Sequence, residues 1–167
     1  MQRRICAKAI PLIEPKDDEN VQYGLTNVIG QTGMAGIMRQ YDIFFTDTGI
    51  AFVVIVSGKR MLAGAAGAGG FGAVGGLIAG SSTSSSKVKV REQFNGLTVK
   101  QILKLNEKSF FMPYADVKEV RFKKGMTGVG KMKFTFSDGK FETEFSKDQV
   151  ETATAALAEK LKSKLAE

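Results

Sequence analysis

The stretch Gly130–Phe145 reads GKMKFTFSDGKFETEF. Met132, Phe134 and Phe136 alternate with polar residues, the period of a half-buried strand. Asp138-Gly139 is a strong two-residue hairpin signal. A turn there places Phe136 opposite Phe141, Phe134 opposite Thr143 and Met132 opposite Phe145. All three pairs share one face, which a sheet covering a core requires. The other face carries Thr135 opposite Glu142 and Lys133 opposite Glu144.

An amphipathic helix is expected next, over 147–165. Ser146 as N-cap and Gln149 three residues on make a capping box, and Phe145 and Val150 are spaced for a hydrophobic staple. Val150, Ala153, Leu157, Leu161 and Leu165 recur at helical spacing and form one apolar stripe. The apolar face or open end of the preceding sheet is the economical surface for it to cover.

Upstream the same logic gives further strands. Glu119–Lys123 alternates, with Val120 and Phe122 on one side. Phe110–Met112 is a short strand ending at Pro113. Thr98–Leu105 reads as a short helix with Thr98 as N-cap. Tyr41–Val56 is a hairpin around Thr46-Asp47-Thr48-Gly49, and its second run, Ile50–Val56, is apolar enough to be covered on both faces. Val21–Ile29 and Ile5–Ile13 read as strands, Glu14–Asn20 as a loop and Gly30–Gly36 as a turn.

One segment interrupts this pattern. Met61–Gly80, MLAGAAGAGGFGAVGGLIAG, holds eight glycines, six alanines and no charge, and Ser81–Ser86 follows it. Residues 59–97 form an insertion with basic flanks: Lys59 and Arg60 before, Lys87, Lys89 and Arg91 after. Gly64, Ala68, Gly72, Gly76 and Gly80 recur every four residues, the small-residue spacing that lets helices approach closely in a membrane. Twenty residues reach across a bilayer core. Against a simple span, each glycine costs a helix about 1 kcal/mol relative to alanine. The basic flanks also favour keeping both ends on one side. A re-entrant or surface-lying hairpin, or a helix packing on copies of itself, is the expectation. Only Met61, Leu62, Phe71, Val74, Leu77 and Ile78 bring it substantial apolar area, with Phe71 as an insertion anchor. The plain alternative is a mobile Gly/Ser-rich loop.

Bulk composition narrows the function. The chain has 167 residues, net charge +7, one cysteine and no histidine. The length suits a single domain, 1–167. The charge points to acidic partners. A lone Cys6 excludes an internal disulfide and a cysteine metal cage, and fits a reducing compartment. The missing histidine removes the commonest general base and metal ligand. Arg3 and Arg4 are followed by Lys8 and Pro11, not by an apolar run, so no secretory signal is expected. A cytoplasmic protein, peripheral at the inner face of the membrane, is the corresponding expectation.

Lys118, Arg121, Lys123, Lys124, Lys131 and Lys133 make a basic hairpin. Arg121, Lys123, Lys131 and Lys133 share its outer face. Lys123, Lys124 and Lys131, without evident acidic partners, are with Lys59 and Arg60 the candidates for anionic ligands. Phe134, Phe136, Phe141 and Phe145 read as core, not as a base-stacking platform. Asp17, Asp18 and Glu19 read as a solvated acidic run, and Asp47 and Asp138 as turn formers. Cys6 has no base near it in sequence, so no catalytic role is expected.

Three stretches together carry a resemblance: Phe44–Phe52 (FFTDTGIAF), Phe110–Lys124 (FFMPYADVKEVRFKK) and Gly130–Phe145, followed by the closing helix. This pattern resembles the bacterial and archaeal PH-like and GRAM-like domains over roughly residues 40–57 and 98–165. The resemblance implies a mainly β, α+β fold: a bent barrel of seven antiparallel strands closed by the last helix. It implies non-catalytic binding of lipid headgroups, membranes or proteins, with no cofactor and no metal. The sequence departs from the pattern where Thr48-Gly49 stands in place of a basic residue, and in the long Gly/Ala insertion. The expected function is a binding module for a membrane surface or a protein, the insertion mediating membrane insertion or self-association into a homo-oligomer. A nucleic-acid-binding protein acting through the basic hairpin is the alternative, motivated by charge alone.

Overall fold

Eight strands form one sheet in the order β4-β3-β2-β1-β7-β6-β5-β8. They are β1 Val21–Thr32, β2 Ile37–Thr46, β3 Gly49–Val56, β4 Phe110–Pro113, β5 Val117–Lys124, β6 Gly130–Phe136, β7 Gly139–Phe145 and β8 Leu165–Ala166. Among the described residues three α-helices accompany them: α1 Ser85–Glu92, α2 Val99–Lys104 and α3 Val150–Lys160. The computed structural model describes residues 14–32, 37–56, 85–126, 128–137 and 139–166. The expected strand at Ile5–Ile13 and the whole Gly/Ala stretch lie outside them.

The fold is mainly β with a C-terminal helix, as the alternation demands. Every strand pair is antiparallel except β5 with β8. The sheet is not closed by strand pairing, since β4 ends one edge and β8 the other.

The hairpin at 41–56 forms as expected, and Glu19 locks its turn. The Thr46 hydroxyl donates to Glu19 Oε1 at 2.5 Å, the Thr48 amide at 2.6 Å and the Thr48 hydroxyl at 2.9 Å. Glu19 is therefore buried, not part of a solvated run. Asp47, beyond forming the turn, accepts from the side chains of Asn20 and Gln22. Burial pushes the Glu19 carboxyl up, but the hydrogen bonds from Thr46 and Thr48 outweigh it and hold the group below its ordinary 4.5. A depressed carboxylate stabilises the fold above its unfolded pKa and loses that contribution as pH falls through its folded pKa. Glu19→Ala is expected to cost about 2 kcal/mol near neutrality. Glu19→Gln should flatten the decline of urea-measured stability below pH 4.5. An unchanged acid decline would show that Glu19 plays no part in it.

The β6–β7 hairpin keeps the expected faces but not the expected register. Phe136 pairs with Gly139, Phe134 with Phe141, Met132 with Thr143 and Gly130 with Phe145. Gly139 is a paired strand residue, so the connection falls one position earlier than an Asp-Gly turn would put it. A shift by two along the partner preserves side-chain parity. The core face therefore survives, while the outer pairs become Lys133 with Glu142 and Lys131 with Glu144.

Gly30 is a strand residue, not the start of a turn. It lies where the rings of Tyr41 and Phe141 cross the sheet, and a Cβ there would fall 2.6 Å and 2.5 Å from them. The inner face of the sheet holds the main core, with Tyr41, Phe45, Phe52, Phe134, Phe141 and Phe145 all fully buried. The stripe of α3 covers it through Ala153, Ala156, Leu157 and Leu161. β3 is buried from Ile50 to Ile55. A second layer accounts for this: Val90, Phe94, Leu97, Val99, Ile102 and Leu103 pack on the outer face against Ala51, Val53 and Ile55. The short helix is capped as expected, with Thr98 and Gln101 in a capping box.

The start of the last helix differs from expectation. Residues Lys147–Gln149 form a 3-10 turn, and the Ser146 side chain makes no cap bond. Gln149 instead reaches β1. Its Oε1 accepts from the Thr26 amide at 2.5 Å and its Nε2 donates to the Thr26 carbonyl at 2.8 Å. Thr26 and Asn27 lie at a register shift between β1 and β2, and a bulge leaves backbone groups without ladder partners. Gln149 takes those of Thr26. Asp42 takes the Asn27 amide, at 2.9 Å.

The helix also ends early, so Leu165 leaves the stripe. The backbone breaks at Leu161. The Lys164 ammonium then donates to the carbonyls of Tyr114 at 2.6 Å and Val117 at 2.5 Å. These bonds draw Leu165 alongside Val120 as β8.

Candidate functional site

The helices α1 and α2 cover the outer face of β2–β4, and α3 covers the inner face. Among the described residues no helix lies over the outer face of β5–β6–β7. Alternation puts Arg121 and Lys123 of β5 there, directly opposite Lys133 and Lys131 of β6. Like charges facing across strands repel and need counter-charge. β7 supplies it in part: Lys133 lies 2.5 Å from Glu142, and Lys131 is paired with Glu144. Arg121 is paired with Glu119 on its own strand. The side chains rim an open groove of about 460 Å³.

Lys131 is thus not the unpartnered cation that its sequence context suggests; the correct register gives it Glu144. Lys123 and Lys124 are exposed, and among the described residues no carboxylate pairs with either. Lys147, exposed at the start of the 3-10 turn, joins them. Gly128 has φ +82°, and a Cβ there would fall 2.9 Å from Lys147 Cδ, so the lysine stem lies against the β5–β6 connection. That connection is braced by Gly125 N–H to the Val129 carbonyl at 2.8 Å and Gly128 N–H to the Gly125 carbonyl at 2.9 Å. Met126, between them, is fully exposed. The sequence reading missed Met126 and Lys147. The available signal was an apolar residue in a glycine-rich turn flanked by lysines.

Arg91, which the sequence groups with the basic flank, is committed to the fold. Its Nε and a terminal nitrogen contact the two oxygens of Asp42, each at 2.7 Å, and the same terminal nitrogen reaches Asn27 Oδ1 at 3.0 Å. A second hollow of about 300 Å³ lies between α2 and β4, walled by Pro15, Leu103 and Phe111. Its lysines are engaged: Lys100 with Glu14 at 3.2 Å and Asp17 at 2.9 Å, Lys104 with Glu14 at 3.6 Å. These lysines hold the Glu14 carboxyl below its ordinary range, chiefly through the Lys100 hydrogen bond.

Among the described residues no group of three or more histidine, cysteine or acidic side chains is placed to hold a metal ion. No described helix is long and apolar enough to cross a membrane. Lys59, Arg60, Leu62, Gly64, Ala68, Phe71, Gly72, Gly76, Leu77, Ile78 and Gly80, and Cys6, lie outside the described residues. Of the sequence-derived site residues, the structure therefore brings together Lys123, Lys124 and Lys131 alone. No family model matches the chain, and no match is found among curated proteins or solved structures.

Proposed function

We propose that this protein is a non-catalytic, PH-like binding module that docks on an anionic membrane surface. The sheet order, with the last helix laid over the inner face, supports the PH-like reading. The observation that carries the function is the outer face of β5–β6–β7, over which no described helix lies, with Lys123 at its end and Lys124 and Lys147 beside the adjoining β5–β6 connection, none of the three with a carboxylate partner among the described residues. Lysines near an anionic leaflet contribute on the order of 1 kcal/mol each. In this reading residues 61–80 add membrane insertion or self-association, on the strength of their small-residue spacing and lack of charge.

The test is co-flotation of the full chain with vesicles with and without anionic lipid. Lys123→Glu combined with Lys124→Glu is expected to weaken binding by about tenfold or more. Replacing residues 61–84 by a short linker leaves α1 intact and measures the insertion's share. No flotation of the parent chain under any lipid composition would end the membrane reading and leave association with a protein. Tight binding to duplex or single-stranded nucleic acid in its place would favour the alternative.

A further inference from the structure

We infer that the β5–β6 connection is a membrane-insertion tip, with Met126 entering the acyl boundary of an anionic bilayer and Lys123, Lys124 and Lys147 seated on the surrounding phosphates. The inference rests on the membrane reading above and specifies how the domain faces the bilayer. Among the described residues the exposed large apolar side chains are Val21, Leu105, Met126 and Leu165. Val21, Leu105 and Leu165 are exposed to 48, 49 and 39%, whereas Met126 has no part of its side chain covered. Its exposure belongs to a built turn, held by the two backbone hydrogen bonds from Gly125 and Gly128.

The surroundings decide the partner. Lys123 and Lys124 lead into the turn, and the Lys147 stem lies against Gly128 from the α3 side. Lys131 is committed to Glu144 and is not part of the set. Asp148 adjoins Lys147 in sequence, and one acid against three lysines leaves the local balance positive. An apolar side chain projecting from among unpaired ammonium groups needs a partner with phosphates at one depth and hydrocarbon just below. An anionic bilayer has both, and lysine stems can lie along the interface with their heads at phosphate level. Nucleic acid offers the phosphates, but no apolar layer beneath them for a protruding thioether.

The chain contains no tryptophan, so Met126→Trp in the full-length protein gives a single reporter. Vesicles of phosphatidylcholine with phosphatidylglycerol are expected to shift its emission to the blue, and brominated acyl chains to quench it. Leu105→Trp, placed after α2, is expected to do neither. Met126→Asp is expected to lower vesicle partitioning by about tenfold, the burial of one methionine side chain. Because Met126 makes no packing contacts, these changes should leave the thermal melt in place. Flotation that persists with no shift at Met126→Trp overturns the tip and leaves the membrane reading standing. An equal shift on phosphatidylcholine alone overturns the lysine ring. Parent protein that never floats removes both.

Discussion

Phe52→Ala is expected to lower the unfolding free energy by about 3–5 kcal/mol, read from urea denaturation with an unchanged slope. Phe52 is fully buried at the centre of β3. Its ring stacks on Phe110 at 4.6 Å and meets Phe141 at 4.8 Å, Phe134 at 5.7 Å and Tyr41 at 6.4 Å, edge to face. Those partners come from β4, β7, β6 and β2, so the side chain ties together strands far apart in the sheet order. The cavity left by alanine has a wall on each of them, and none can collapse into it without pulling its strand out of register. Phe52→Leu keeps most of the volume and should cost about 1–1.5 kcal/mol. A loss below that for the alanine variant would mean that the aromatic cluster does not hold the sheet.

Arg91→Ala is the second large effect, about 2–4 kcal/mol. Removing one partner of a buried ion pair leaves an uncompensated charge, which typically costs about 3–5 kcal/mol. Here the Asp42 side chain is 2% exposed and that of Arg91 is 27% exposed, so the expected figure sits lower for solvent screening of the guanidinium. Asp42 would keep the Asn27 amide but lose both arginine contacts. The double variant Asp42→Asn with Arg91→Met should be more stable than Arg91→Ala alone, because no buried charge remains. The coupling is checked by a double-mutant cycle on urea midpoints. Additive losses would show that the pair contributes nothing as a pair.

The sequence made some of this legible because the relevant signals are local. The alternation of β6, the apolar run of β3, the Thr98 cap and the α3 stripe each follow from a few neighbouring residues. What escaped needed a distant partner. Glu19 looks like one more acid in a loop until Thr46 and Thr48 fold over it. Gln149 fits a capping box, yet its amide is used by Thr26, 123 residues away. Gly30 has turn chemistry, but its missing side chain makes room for Tyr41 and Phe141.

The candidate site shows how one such error propagates. Placing the hairpin turn at Asp138-Gly139 set Lys133 against Glu144 and left Lys131 without an acid. The actual register reverses that bookkeeping: Lys131 leaves the unpaired set, Lys123 and Lys124 stay in it, and Lys147 joins them. The outer face was legible from parity alone. Its charge pairing was not, because parity does not fix register.

The short ladder between Ile29–Thr32 and Phe141–Glu144 has a further consequence. It is the seam between two meanders, β1–β2–β3 and β5–β6–β7, each made from neighbouring chain. Each meander can form quickly by local closure. The seam joins positions more than a hundred residues apart, so its closing carries the largest chain-entropy cost. Until it closes, neither inner face is covered, and β1 and β7 both present bare edges. Folding speed and exposure to misassembly therefore converge on these four residue pairs, two of which carry Glu142 and Glu144, the acids that partner Lys133 and Lys131 on the basic face.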